Sequence, residues 1–180
     1  MKENNKKIQP KDFQKSYLFY QDDFFKGSIS EFLTNEIISH IELHPLKQSE
    51  VFIILEESIT NAFIHGLWQL SIEHRLLDKQ SMIEVVNERK EESDKSRNMS
   101  FIKVDISFSM KDFVLKISIK DTGSGFDFEH FMKTNFTITD FFDTRGLGLT
   151  MIKTYSENVS FSENGSQINI SVSPYKKCLI

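Results

Sequence analysis

The residue order predicts an α/β fold: a two-layer sandwich in which helices cover one face of a mixed, mainly antiparallel sheet. Three observations predict it. Helix-period apolar patterns occupy the first half, from "SISEFLTNEIISHIEL" to "SIEHRLLDKQSMIEVVNERKEE". In "SFIKVDISF" and "DFVLKISIK" the period switches to two, as half-buried strands require. A last alternating pair, "NVSFS" and "SQINISVS", closes around "ENG" as a hairpin. Helices clustered before strands suit a sheet covered on one side.

Taken in order, residues 1–12 read as a polar tail, and residues 13–180 as one domain. "SYLFYQDDFF" (Ser16–Phe25) is aromatic and suits a strand. The first long helix opens on a Ser cap, Ser28 or Ser30, and carries Phe32, Leu33, Ile37 and Ile41 at helical spacing. Pro45 closes it, because proline cannot continue the hydrogen-bond ladder. A second helix runs from about Gln48 to His65, with Gly66 as a left-handed C-cap. A more exposed helix follows, then the solvated loop "ESDKSRNMS". The hairpin of alternating strands turns at "SMKD" and runs into "DTGSGFD". Phe128–Thr144 lacks a clean period, and "GLGLTMIKTYSE" is a helix preceded by glycines.

Composition removes several classes of function. A net charge of -4 gives no support for direct nucleic-acid binding. The single cysteine, Cys178, excludes an internal disulfide and a cysteine metal cluster, and suits a reducing compartment. The basic start "MKENNKKIQPKDF" has no apolar stretch after it that would make a secretory signal. No apolar run approaches the roughly 20 residues of a membrane helix. The expectation is a cytoplasmic protein with no membrane association.

Three stretches carry chemistry. In "EESITNAFIHG", Glu57, Asn61 and His65 recur every fourth residue beside the apolar face of Val51, Leu55, Ile59, Ala62 and Phe63. Alone, such a stripe reads as a solvated helix edge; as a ligand face, it offers a carboxylate to poise a hydroxyl and an amide oxygen for a hard cation. In "KDTGSGFD", Asp121 at a strand end can accept a hydrogen bond from an exocyclic amine, and Gly123 and Gly125 permit close backbone approach. A tight turn explains the same residues equally well. In "TRGLGLTMI", glycines at a helix start leave N–H groups for an anion, with Arg145 beside them. The alternative is a plain loop entering a helix.

Together, in this order, the three stretches resemble the N, G1 and G2 boxes of the GHKL superfamily of ATP-binding domains, over roughly Ser16 to Ser173. "EESITNAFIHG" is most similar to the corresponding box of bacterial anti-sigma factor serine/threonine kinases, which share Glu-x-x-x-Asn-Ala-x-x-His-Gly. The resemblance implies a Bergerat ATP-binding fold, ATP and Mg²⁺ as cofactors, and transfer of the γ-phosphoryl to a Ser or Thr of a partner. By motif position, Glu57 is the implied base, Asn61 the implied Mg²⁺ ligand, and His65 a pocket residue. Asp121 is implied to bind the adenine amine, with Gly123, Gly125 and Phe126 around the base and Ser166 behind it. Arg145, Gly146, Leu147, Gly148 and Leu149 are the implied phosphate contacts, under a lid at about 128–144. The implied partners are an anti-sigma factor antagonist of the STAS type and a sigma factor, with the chain as a homodimer.

Two departures stand out. Kinase-active relatives carry the lid arginine two residues before the first G2 glycine, where this chain has Thr144. A helical insertion, about 67–100, separates the first box from the hairpin, as in a branch of these domains found with stress-response phosphatases and response regulators. Two other functions remain open: an ATP-tuned protein-binding module without phosphoryl transfer, and a histidine kinase catalytic domain. The last is suggested by "SHIELHPL", which resembles a phospho-acceptor box at His40, but only 16 residues separate His40 from Glu56. That leaves no room for the second helix of a dimerisation hairpin.

Overall fold

Helices α1 (Asp23–Lys26), α2 (Ile29–His40), α3 (Pro45–Asn61) and α4 (Lys79–Glu92), with α5 (Leu147–Tyr155), accompany five strands. The strands are β1 (Phe13–Tyr20), β2 (Phe101–Ser109), β3 (Val114–Asp121), β4 (Asn158–Ser162) and β5 (Gln167–Val172). The structure is a computed structural model that describes residues 11–70, 77, 79–92, 100–125 and 147–174. The strands form one sheet in the order β1-β2-β3-β5-β4. Every pairing among them is antiparallel, so the expected mixed component is absent from the described strands.

The alternation in β2 and β3 sets the layers. Ile102, Val104, Ile106 and Phe108 of β2 are buried, as are Leu115, Ile117 and Ile119 of β3, while their neighbours stand on the open face. Register pairs Ile106 with Ile117 and Val104 with Ile119. The buried face meets α3, whose Val51, Ile54 and Leu55 are fully buried, and α2, through Leu33 and Ile37. Burial of each such side chain contributes about 1.5–3 kcal/mol, so this aliphatic layer dominates the stability of the sandwich.

Several element boundaries differ from the sequence expectation. β1 starts at Phe13 and ends at Tyr20, and "DFFK" turns into the short α1 because the Asp23 carboxylate accepts the Tyr20 N–H at 2.8 Å. Asp12, expected in the polar tail, accepts the Met110 N–H at 2.6 Å; residues 1–10 lie outside the described residues. Ser28, not Ser30, caps α2 and accepts the Glu31 N–H at 3.1 Å. Phe32 is 47% exposed rather than in the core, its ring edge-on to Tyr17 and near Phe19.

Pro45 does not close α2, which already ends at His40; it is the first residue of α3, where its missing N–H costs nothing. The expected exposed helix is represented by α4, and Met82 and Val86 bury one of its sides. Much of residues 71–78 and all of 93–99 lie outside the described residues. No helix among the described residues is long and apolar enough to cross a membrane.

Candidate functional site

A cavity of about 350 Å³ opens between the C-terminal part of α3, the end of β3, the start of α5 and the β4–β5 hairpin. That volume lies in the range of small-ligand sites. α3 lines it with Ser58 and Asn61, and the turns that follow add Ala62, His65 and Gly66. The spacing i, i+3, i+4, i+7, i+8 is one helical face. Beyond Asn61 the helix widens into π turns over Ala62–Leu67, so that Trp68 N–H reaches back to the Phe63 carbonyl at 2.9 Å. Such widened turns recur at functional sites because they re-aim side chains without ending the helix. His65 is fixed there: its Nδ1–H donates to the Leu70 carbonyl at 2.9 Å, a contact that sets the tautomer because a carbonyl only accepts.

Asp121 lines the cavity from the end of β3, its carboxylate packed against Gly66. Its backbone N–H donates to the Ser166 carbonyl at 2.9 Å, tying the strand to the β4–β5 hairpin. The side chain is buried, 8% exposed, and its Oδ1 accepts the Gly123 N–H at 2.8 Å. Burial pushes the carboxyl up to about 6, against the lowering effect of the Gly123 and Asp121 backbone N–H groups. A carboxylate has about four lone-pair sites, so acceptor capacity remains toward the cavity.

Glycines bring these parts together. A Cβ on Gly66 would stand 2.5 Å from Asp121 Cγ, and one on Gly123 would overlap the Gly66 carbonyl. Gly66 is therefore not the left-handed C-cap expected from the sequence: it lies inside the π turns and has no positive φ. Gly125 has φ +76°, and a Cβ there would strike the Asn164 carbonyl. The walls between the polar groups are apolar, with Ile119, Leu149, Phe161 and Ile168. Ser166 lies behind them, buried, its hydroxyl donating to the Glu163 carbonyl at 2.9 Å.

Of the sequence-predicted residues, the cavity collects Asn61, His65, Asp121, Gly125, Gly148, Leu149 and Ser166. Gly123 acts one step back, through Asp121 and Gly66. Leu147 begins α5 without lining the cavity, and half-buried Glu57 precedes Ser58 outside the lining. Phe126, Arg145, Gly146 and the lid at 128–144 lie outside the described residues. Ser58, Ala62, Gly66, Gly165, Ile119, Phe161 and Ile168 were not assigned to the site from the sequence; moving the predicted stripe by one residue, from Glu57 to Ser58, finds the first three.

The site offers a buried carboxyl, two buried hydroxyls, an amide, an imidazole and the first turn of a helix, between apolar walls. That set suits a planar heterocycle with an exocyclic amine and an attached anion. Among the described residues no group of three or more His, Cys, Asp or Glu is placed to hold a metal; the cavity lining does include the Asn61 amide, whose oxygen is a donor type that hard cations accept.

His40 lies elsewhere, on α2, where Nε2 is 3.1 Å from Glu36 Oε1 and the ring stacks on Phe13 at 4.8 Å. The sequence model of the histidine kinase-like ATPase domain matches residues 28–172, a span that contains the whole cavity. Comparison with curated proteins finds no match.

Proposed function

The chain belongs to the family of histidine kinase-like ATPase domains, of the GHKL type, and on that premise we propose that it is an Mg-ATP-dependent serine/threonine protein kinase of the anti-sigma factor type. The observation that carries the nucleotide assignment is the buried Asp121 carboxylate in one apolar-walled cavity with Asn61 and His65. Those residues fit ATP. Asp121 accepts from the adenine amine, Ile119 and Ile168 flank the base, and the absent Cβ atoms at Gly66 and Gly123 let the carboxylate stand where it does.

Asn61 supplies the amide oxygen for Mg²⁺, a hard cation that prefers oxygen. Mg²⁺, when bound, neutralises phosphate charge. The N–H groups of Leu147, Gly148 and Leu149 in the first turn of α5 would meet the phosphates where the helix dipole is favourable, and the motif order assigns Arg145 and Gly146 to the same role. Glu57, one turn before Asn61, takes the proton of the attacking Ser or Thr hydroxyl. The γ-phosphoryl passes to that oxygen and ADP leaves. Positioning and charge neutralisation supply most of such catalysis, so this small set of groups suffices.

The Glu-x-x-x-Asn-Ala-x-x-His-Gly pattern, Glu57 to Gly66, supports the anti-sigma factor type. The proposed partners are an anti-sigma factor antagonist of the STAS type and a sigma factor, held by a homodimer in the cytoplasm. One observation favours a second reading, an ATP-tuned binding module: Thr144 stands where kinase-active relatives place an arginine.

Incubation with γ-labelled ATP, Mg²⁺ and a candidate antagonist separates the readings. Acid-stable label on an antagonist Ser or Thr supports the kinase. Bound nucleotide with no label in any partner leaves the binding module. Acid-labile label on the chain itself supports a histidine kinase, against the engaged His40.

A further inference from the structure

Several hydroxyls in the described helices are satisfied locally. Thr34, Ser39 and Thr154 each donate to a backbone carbonyl three or four residues earlier, and Ser156, just past the end of α5, does the same, at 2.6–2.8 Å. That local bond is the ordinary way to satisfy Ser and Thr within a helix. Ser58 makes no such bond. It is 3% exposed, and among the described residues its Oγ has no hydrogen-bond partner. It also lines the cavity, three residues before Asn61 and on the same helical face.

A buried hydroxyl without a partner is costly, and native proteins retain few of them. An alanine of nearly the same size would fill the position without that cost. The hydroxyl therefore has its use when the cavity is filled. The wall beside it is apolar, so a neutral hydrogen-bonding group is the suitable match, and a nucleoside carries several.

We propose that Ser58 is a specificity-determining residue that hydrogen-bonds the nucleoside part of the bound nucleotide, as a second polar reader beside Asp121. This rests on the nucleotide reading of the same cavity. Ser58 belongs to the binding step: it holds no phosphate, no metal and no reacting proton.

The test is Ser58→Ala, read in two ways on the full chain. Thermal melting without nucleotide is expected to be unchanged or raised, because an unsatisfied buried group is removed. Calorimetric affinities for Mg-ATP and for ADP without Mg²⁺ are both expected to fall about three- to tenfold, the loss of one neutral hydrogen bond. Unchanged affinities in the variant, with nucleotide bound by the wild type, overturn the proposal. A loss confined to Mg-ATP also overturns it, since the contact would then lie on phosphate or metal. So does a lowered melting temperature without nucleotide, which would make the hydroxyl part of the fold. A wild-type chain that binds neither nucleotide sinks the ATP reading itself, a result that no behaviour of Ser58→Ala imitates.

Discussion

Gly66 and Asp121 are packed so closely that a methyl group on Gly66 would lie 2.5 Å from the Asp121 carboxyl carbon. They are 55 residues apart in sequence, on different layers of the sandwich, and their contact joins the widened end of α3 to the end of β3. Gly66→Ala must displace the carboxylate or open the π turns. The expected cost is about 1–3 kcal/mol of stability, as for other overpacked sites, with loss of nucleotide binding. Denaturant unfolding and a nucleotide titration check the two effects separately.

The Asp121 carboxyl gives the protein a stability that depends on pH. Its folded value is raised from 3.8 to about 6, so the folded state holds the proton more tightly than the unfolded chain. The contribution is fully present below about 3.8, is lost as pH rises to about 6, and changes no further above that. Asp121→Asn removes this loss. The stability of the variant relative to the wild type should therefore rise between pH 4 and 6 and hold constant above it, the rise being at most about 3 kcal/mol and less where solvent at the cavity mouth screens the charge. Melting temperatures across that range, with an equal difference at pH 4 and pH 7, would contradict the assignment.

Asn61→Ala tests the proposed cation ligand. Without its amide oxygen, the increment in ATP affinity that Mg²⁺ provides should vanish, while ADP without Mg²⁺ binds within about threefold of the wild type. Titrations with and without Mg²⁺ read this directly, and an intact Mg²⁺ increment would place the cation elsewhere.

Glu57→Gln keeps the shape of the side chain and removes its basicity. Phosphoryl transfer to a partner is expected to fall by about a hundredfold or more, as for loss of a general base, with nucleotide affinity unchanged. Single-turnover transfer of labelled phosphate checks it, and wild-type rates would remove Glu57 from the role of base.

The parts of the fold legible in the sequence are those fixed by local chemistry. The β2–β3 and β4–β5 hairpins follow from period-two alternation with a turn between, and Ser28 caps α2 as a hydroxyl before an apolar periodic run should. What was not legible depends on distant contacts. Gly66 reads locally as a helix stop, but its missing Cβ answers to Asp121 across the sandwich. Ser58 reads as one more helical serine, and only the cavity beside it separates it from Thr34 or Ser39. The predicted stripe began at Glu57, because charge and spacing draw attention to it; the residues that line the cavity begin one position later. Phe32 kept its helical spacing yet faces Tyr17 near the edge strand β1, a placement that periodicity alone cannot distinguish from the core.

The central claim is that the cavity binds the adenine nucleotide through Asp121. Calorimetric titration of Mg-ATP into the wild-type chain and Asp121→Asn at pH 7.5 tests it most directly. The prediction is saturable binding of one ATP per chain, weakened at least about tenfold in the variant, the worth of one hydrogen bond to a buried charge. Equal affinity for the two proteins, or no binding by the wild type, would contradict it.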